Sequence, residues 1–226
     1  MAINVNTVYR TVLSILNKEQ RGHLTPDQFN RVGRLAQLDL FEKAFHDYNR
    51  YMTRKDNNTI NDEYADLAKN TKEKIDVFAT SSTLSFTAGV AALPSNFYRC
   101  TMISTSTRGI EVQEIQKSDL PQINSSKLTA PSTSYPVYYK QGSNIYILPT
   151  SISSATLDYI FTPSDPVWGS TTGGTYGDLQ YSSSSSVNFG LHNAEEVQLV
   201  LKILAYSGIT IKDPNVIQIA KQEEIQ

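Results

Sequence analysis

Histidine is the residue most often used for acid–base and metal chemistry, and this chain has His23, His46 and His192. His192 and Glu196 are four residues apart and share one face of a helix, but a metal site needs a further ligand and the sequence places none nearby. His192 precedes a predicted helix, where we expect a capping or surface role. The other two lie in a charged helical stretch and in a turn, which do not suit a general base. The sequence therefore predicts no metal and no cofactor.

Acidic residues form two further patterns, and neither completes a site. Residues 56–58 begin like a calcium loop, but Ile60 replaces an oxygen ligand and Leu67 replaces the final glutamate. Glu111 and Glu114 are the best-placed carboxylate pair for a glycosidase, yet they are three apart on a predicted strand and face opposite sides of its sheet. Hydrolase, Walker and dinucleotide motifs are absent. We therefore expect no enzyme activity. A small-substrate hydrolase is a rival hypothesis, tested by mutating either glutamate.

Composition excludes several classes of protein. The 226 residues carry a formal net charge of −2 and one cysteine, Cys100, so a disulfide within the chain and a cysteine-based zinc cluster are excluded. Basic residues of the predicted second helix are interleaved with acidic ones, which indicates a solvated face and not a nucleic-acid surface. Apolar runs are too short for a membrane span and no signal peptide is visible, so we expect a soluble protein without a membrane partner.

Three amphipathic helices are predicted in residues 1–80. Asn4 or Asn6 caps the first, and the second begins at the capping box of residues 25–28. The third covers residues 61–78 and has one apolar and one charged face. Because none of the three apolar faces is stable in water, they predict a helical bundle.

The pattern changes from helix to strand within residues 84–103. Leu84 and Phe86 alternate with polar residues, and Gly89 permits a sharp bend. Pro94 favours extended backbone in the residue before it. We interpret this stretch as a hinge that joins a β module to the bundle. The residues of its turn are Leu93, Pro94, Phe97 and Arg99.

Several short strands with period-two alternation follow. The strands predicted are residues 98–105, 109–116, 135–140, 144–148 and 155–161, the first two as an antiparallel pair. Their spacing indicates a small antiparallel sandwich or barrel. The fold class predicted is therefore α+β, with a β module (residues 81–190) inserted between the bundle and carboxy-terminal helices that complete it (residues 191–226).

Residues 169–189 are rich in Ser, Gly, Thr and Tyr and include five consecutive serines at 182–186. Such a stretch cannot bury enough apolar surface to pack alone. We expect either a flexible surface loop or a segment that orders against a partner.

The chain returns to helix near Asn193, which with Glu196 forms a capping pair, and this helix stops at Gly208. Two apolar stripes predict burial on two sides. One side is expected to face the bundle, and the other a neighbouring subunit or a deeper core. The residues assigned to a subunit interface are Leu199, Ile203 and Tyr206.

A short amphipathic segment follows Asp213 and Pro214 and ends in polar residues. Because it is far in sequence from any β partner, we interpret it as an arm that docks onto another protein. The apolar residues assigned to this docking arm are Ile209 and Ile211, which precede Asp213, and Val216, Ile217, Ile219 and Ala220.

The order of these elements, with Leu93-Pro94-Ser95-Asn96-Phe97-Tyr98-Arg99 at the transition, resembles the head-to-tail connector proteins. These are the adaptor, or ring, proteins of short-tailed double-stranded DNA bacteriophages. Their recurrent turn reads Leu-Pro-x-Asp-Phe-x-Arg, and this chain has Asn96 in the acidic position. As a whole the chain is most similar to the ring proteins of crAss-like phages, in particular the ring directly beneath the portal.

The resemblance implies a structural protein of the virion neck and tail that is assembled in the host cytoplasm. It implies a homo-oligomeric ring that follows the portal's twelvefold symmetry and contacts further ring and tail proteins. Genomic DNA would pass through without sequence-specific binding, and the docking arm would reach the portal protein.

A carbohydrate- or receptor-binding module is the rival from another class. It rests on aromatic residues, which form platforms for sugars: Tyr135, Tyr138, Tyr139, Tyr146, Tyr159 and Trp168. Alternation places neighbouring tyrosines on opposite faces of a strand, so at least some of them are expected in the core. Binding to a sugar array distinguishes this hypothesis.

Overall fold

The structure, a computed structural model, describes residues 2–18, 24–55, 67–106, 109–173 and 178–211. The helices are α1 (Val5–Lys18), α2 (Pro26–Lys55), α3 (Leu67–Asp76), α4 (Leu120–Ser125) and α5 (Glu196–Ile211). The strands are β1 (Ala79–Ser85), β2 (Val90–Ala92), β3 (Phe97–Thr105), β4 (Gln113–Glu114), β5 (Val137–Gln141), β6 (Asn144–Leu148), β7 (Ser154–Phe161), β8 (Ser170–Gly173) and β9 (Asp178–Tyr181). The long helices and the two larger sheets are segregated along the chain, so the predicted α+β class is confirmed.

The chain forms two compact units. The helical unit comprises Met1–Val77 and Pro163–Gln226, and the β unit is Phe78–Thr162. We expected residues 163–190 to belong to the β module, but they lie in the helical unit. The β unit is therefore a shorter insertion than the sequence indicated.

In the helical unit, α2 packs against α3 and α5, and α1 packs against α5. Two of its helices begin at the predicted caps. The Asn4 side-chain oxygen accepts hydrogen bonds from the backbone N–H groups of Asn6 and Thr7. Thr25 and Gln28 each bind the other's backbone N–H, at 3.3 and 3.1 Å, which completes the predicted capping box at the start of α2.

One buried side chain of α2 binds the backbone near both ends of residues 163–190, the segment that follows the insertion. Gln37 has no solvent exposure. Its Nε2 donates to the carbonyl of Ser164 at 2.9 Å, and its Oε1 accepts from the N–H of Gly190 at 3.0 Å. Because unpaired polar groups beside a buried side chain are costly, these bonds explain why residues 163–190 lie with the helices.

Trp168 reinforces the same attachment. Its backbone N–H donates to Oδ1 of Asn30 at 2.7 Å, and its indole N–H donates to Oδ1 of Asn6 at 3.1 Å. Its ring lies 4.5 Å from that of Tyr9 and is 7% exposed. The indole thus satisfies its one polar group while burying its apolar surface.

The serine-rich stretch is ordered within this unit. Ser183–Ser185 form a short 3₁₀ turn. Oγ of Ser186 donates to the carbonyl of Ser182 and accepts from the N–H of Gly169, while Val167 and Val187 form a β-bridge. The expected flexible loop is therefore wrong for these residues, because serine hydroxyls supply hydrogen bonds where apolar packing is lacking. Residues 174–177 lie outside the described part of the chain.

The β unit is a sandwich of two sheets, with strand orders β1-β7-β3 and β2-β6-β5-β4. Both sheets contribute to one core, which includes Leu84, Ile103, Ile147 and Leu157. Within its described residues the sheets do not close into a barrel. The predicted hairpin of β5 and β6 is present, with the turn glycine Gly142 at φ +61°.

The predicted pairing of residues 98–105 with 109–116 is largely wrong. Only a bridge between Ser104 and Glu111 remains, followed by a hydrogen bond from Val112 to Ile103. Beyond Val112 the chain crosses to the other sheet, where β4 pairs parallel with β5. The β unit is consequently mixed and not wholly antiparallel.

Replacing Gln37 by methionine keeps the side-chain size but removes both hydrogen bonds of the amide. We expect the free energy of unfolding to fall by about 2–3 kcal/mol, because two backbone groups lose their partners. Urea unfolding followed by Trp168 fluorescence measures this, since Trp168 is the chain's single tryptophan and lies in the helical unit. Gln198→Met, at an exposed position of α5, is the matched control. Equal losses in the two variants would contradict the role given to Gln37.

Candidate functional site

The Leu-Pro-x-x-Phe-x-Arg stretch forms a hydrogen-bonded turn between β2 and β3. The carbonyl of Pro94 accepts from the N–H of Phe97 at 3.0 Å, and Leu93 packs against the sandwich core. The turn lies inside the β unit, whereas the chain passes between the units at residues 77–78 and 162–163. It is therefore not the hinge between them, because the strand structure already begins at β1, before this turn.

Asn96 is the polar centre of the turn. Its Oδ1 accepts from the hydroxyl of Tyr159 at 3.1 Å, and its backbone carbonyl accepts from the N–H of Thr162 at 2.8 Å. Tyr159 is only 5% exposed, so its hydroxyl needs this acceptor. A neutral amide thus occupies the position where the resemblance has an acid, and its contacts are hydrogen bonds within the β unit.

Phe97 and Arg99 take different positions on β3. The ring of Phe97 stacks on Tyr159 at 5.8 Å between centroids, and Nζ of Lys140 lies 4.6 Å from its centroid, a cation–π geometry. Arg99 is exposed and pairs in register with Ile160. Among Leu93, Pro94, Phe97 and Arg99, Arg99 is thus the exposed residue.

The residues assigned to a subunit interface lie instead in the core of the helical unit. Leu199 and Ile203 have no solvent exposure. Tyr206 is half-buried, and its hydroxyl donates to Oδ2 of Asp39 at 3.0 Å. This stripe of α5 faces α2, so the deeper-core alternative is right for these residues. Among the described side chains of α5, the exposed large apolar one is Val197, at 70%.

A charged pair fixes this face of α5. Nζ of Lys202 donates to Oδ2 of Asp39 at 2.6 Å, and Lys202 is 9% exposed. Burial raises the pKa of the Asp39 carboxyl, but the hydrogen bonds from Lys202 and Tyr206 and the charges of Lys202 and Lys43 outweigh it, so the pKa is lowered overall. Sequence reasoning missed this pair, whose only local signal is the i, i+4 spacing of Lys202 and Tyr206 on one face.

The docking arm remains a prediction. The backbone of Ile209 and Ile211 is part of α5, but the structure does not describe their side chains. Val216, Ile217, Ile219 and Ala220 lie beyond residue 211, where the described part of the chain ends.

His192 has the capping role that the sequence predicted. Its Nδ1 accepts from the N–H of Ala194 at 3.2 Å, and it precedes the 3₁₀ turn Asn193–Glu195. Asn193 was the predicted cap, but it lies within this turn, one residue too late to cap it. The imidazole accepts this bond only when neutral, since a protonated ring has no free acceptor.

Other chemical sites are limited in the described residues. No group of three or more His, Cys, Asp or Glu there is arranged to hold a metal ion. A pocket in the helical unit, beside the ion pair of Lys74 and Glu195, has a volume of about 60 Å³. Ligand pockets usually exceed about 300 Å³, so this pocket is too small for a typical ligand.

The aromatic residues are mostly engaged with one another or buried. Tyr139 and Tyr146 stack face to face across β5 and β6, with centroids 4.9 Å apart. Tyr138, Tyr159 and Trp168 are at most 7% exposed. Tyr135 is 80% exposed and is the aromatic ring of this set that is open to a sugar.

Asn96 allows the turn to be tested with two substitutions. Asn96→Asp keeps an acceptor for the Tyr159 hydroxyl, so we expect the stability of the β unit to change by less than about 0.5 kcal/mol. Asn96→Leu removes the acceptor and should cost about 1–2 kcal/mol. Amide exchange of β7 under native conditions measures both, with Asn124→Leu on exposed α4 as the control. An aspartate variant as damaged as the leucine variant would refute this account.

Asp39 should make the stability of the helical unit depend on pH. Its folded pKa is lowered, so the stabilisation is present above the unfolded pKa of about 3.9 and is lost as pH falls through the folded pKa. We expect Asp39→Asn to be less stable than wild type at neutral pH and the gap to narrow in acid. Urea unfolding by Trp168 fluorescence from neutral to acid pH measures it. Asp27→Asn is the control, because the ion pair of Asp27 with Arg31 is largely exposed. Its free energy of unfolding should differ little from that of wild type over the same pH range.

The composition of the helices and two comparisons with known proteins bear on classification. Among the helices in the described ranges, none has the length and apolar composition needed to cross a bilayer. No protein-family model matches the chain. The search of curated proteins likewise finds no significantly similar sequence.

Proposed function

We propose that this chain is a structural virion protein that forms a ring in the neck of a short-tailed phage. The ring joins the portal to the tail and continues the DNA channel. The observation that carries the proposal is the 93–99 turn, in which Pro94, Phe97 and Asn96 hold the strands of an inserted β unit together. This is the turn that the connector resemblance singled out, and it has a structural role at each of these positions.

The arrangement of the chain supports the same proposal. Segments before and after the β unit contribute to the helical unit, and the β unit is inserted between them in sequence. A ring subunit needs two different contact surfaces, one for each neighbour. In this proposal twelve copies form the ring, the docking arm binds the portal protein, and the β unit binds further ring and tail proteins. The location is the virion neck, after assembly in the host cytoplasm.

Charge also favours a conduit. The formal net charge is −2. On α2, Arg31 pairs with Asp27 and Arg34 pairs with Asp165, each at 3.1 Å with exposed side chains. Cations paired in this way attract phosphates less than a free basic stripe does. DNA would therefore pass without sequence-specific binding.

A carbohydrate- or receptor-binding role is the second candidate, and the exposed ring of Tyr135 is the observation that favours it. The stacked faces of Tyr139 and Tyr146 argue against a wider platform, because each ring covers the other. A single exposed ring is a weak site for a sugar.

Mass photometry of the full chain, alone and mixed with the portal protein of the same phage, tests the ring proposal. We expect a stoichiometric complex whose affinity falls about tenfold or more when residues 213–226 are deleted, because the apolar arm is lost. The triple variant Val216→Ser, Ile217→Ser, Ile219→Ser should act like the deletion, while Gln222→Ser should bind as wild type.

A chain that ignores the portal and binds a sugar array in a Tyr135-dependent manner would replace the ring proposal with the second candidate. Negative-stain images of the complex would show a ring if the proposal is right.

A further inference from the structure

The β unit has four outer strands, and three of them are protected against pairing with another chain. β2 has three residues and β4 has two. β3 is long but has two irregularities in its register with β7, at residues 97–99 and 100–102, and carries Arg99. Short length, bulges and charge are the usual devices that prevent pairing at a sheet edge.

β1 has none of these devices. It covers seven residues, Ala79–Ser85, and its register with β7 is unbroken. Its sequence, Ala-Thr-Ser-Ser-Thr-Leu-Ser, has no charge and no proline. β1 is therefore the long, regular and unprotected edge among the four.

The backbone ladder shows which groups of β1 point outward. Phe161 donates to the carbonyl of Phe78, and Phe86 donates to the carbonyl of Ser153, at 2.9 and 2.8 Å. Bonded and non-bonded residues alternate along an antiparallel strand, so the even-numbered residues of β1 bond to β7. The N–H and C=O groups of the odd-numbered residues point away from β7, and those residues are exposed: Ala79, Ser81, Thr83 and Ser85.

We propose that β1 pairs antiparallel with β1 of a second copy of this chain, in a register centred on Ser82. Ser81 then lies opposite Thr83 of the other copy, and Ala79 lies opposite Ser85. The two three-stranded sheets join into one sheet of six strands. The outward groups provide about eight backbone hydrogen bonds between the copies.

A second copy fits this edge because a twofold interface must be complementary to itself. An uncharged strand places no like charges opposite each other, and hydroxyl side chains facing each other across strands are favourable. The two chains also leave the paired strands at opposite ends, because the strands are antiparallel. A strand of another protein would form the same backbone hydrogen bonds with β1. It would not provide the side-chain match that two identical uncharged strands provide.

The interface should be weak and should depend on concentration. It consists of main-chain hydrogen bonds and small polar side chains, with little apolar area. The inference goes beyond the proposed function, since a ring uses two different surfaces of each subunit and the β1 pair uses one surface twice. The ring proposal and the β1 pairing can therefore be refuted independently of each other.

Sedimentation equilibrium of the full chain tests the pairing. We expect the mass of wild type to rise from 25.2 kDa towards twice that value with concentration. Thr83→Pro removes an outward N–H and leaves the β7 ladder intact, and Thr83→Lys adds charge to the edge without proline's backbone constraint. Both should weaken association about tenfold or more. Thr101→Lys, exposed on the protected edge strand β3, is the matched control and should associate as wild type.

Residue-resolved amide exchange supplies the second measurement. The amides of residues 81, 83 and 85 should become protected as concentration rises, while those of residues 80, 82 and 84 stay protected throughout by β7. Equal exchange at both concentrations, or association of Thr83→Lys equal to wild type, would overturn the proposal. Protection that appears only with another protein would show a different partner strand. A ring with unprotected odd-numbered amides would refute this pairing and leave the proposed function standing.

Discussion

The buried amide of Gln37 is the constraint on which the helical unit depends. Trp168 and Phe189 of residues 163–190 are buried, and the place of this stretch beside α2 rests also on polar groups that find partners. Gln37 binds the backbone near both ends of this stretch, and Trp168 of the stretch donates hydrogen bonds to Asn30 and Asn6. Removing one side of such an arrangement leaves polar groups unpaired, which costs more than the bonds contribute when they are intact. The attachment is therefore specific as well as stabilising, because other registers of the segment would leave the same groups without partners.

The parts of the fold that the sequence predicted are those set by neighbouring residues. The Thr25–Gln28 capping box, the cap at Asn4 and the β5–β6 hairpin all depend on residues within a few positions of one another. The parts that were missed depend on distant partners. The stripe of α5 that contains Leu199 and Ile203 was assigned to a subunit interface, but Lys202 on that helix binds Asp39, 163 residues away in sequence, and turns the stripe towards α2. An amphipathic pattern shows that a face is buried and does not show what buries it.

The same limit applies to the candidate site. The sequence singled out the 93–99 turn correctly as an ordered feature but misplaced it between the two units. The β unit is instead closed by its own ends: Phe78 and Phe161 are joined by a backbone hydrogen bond and a ring contact, and Asn96 binds Thr162. An insertion whose first and last residues are paired in this way keeps its strands in register without help from the chain on either side. The turn thus acts within the β unit and contributes to its internal order.

Serine and threonine are used in two opposite ways in this chain, and composition alone does not separate them. Around residues 182–186 the hydroxyls of Ser185 and Ser186 bind nearby backbone groups, so the segment satisfies part of its own hydrogen bonding. On β1 the hydroxyl residues leave the outward backbone row exposed. Both stretches are rich in serine or threonine. What distinguishes them is whether the backbone has a partner within the described part of the chain. Backbone groups that lack such a partner bind water until a second strand replaces the water. This replacement favours association only when the strand is already extended, because no further ordering is then required. β7 holds β1 in this extended conformation.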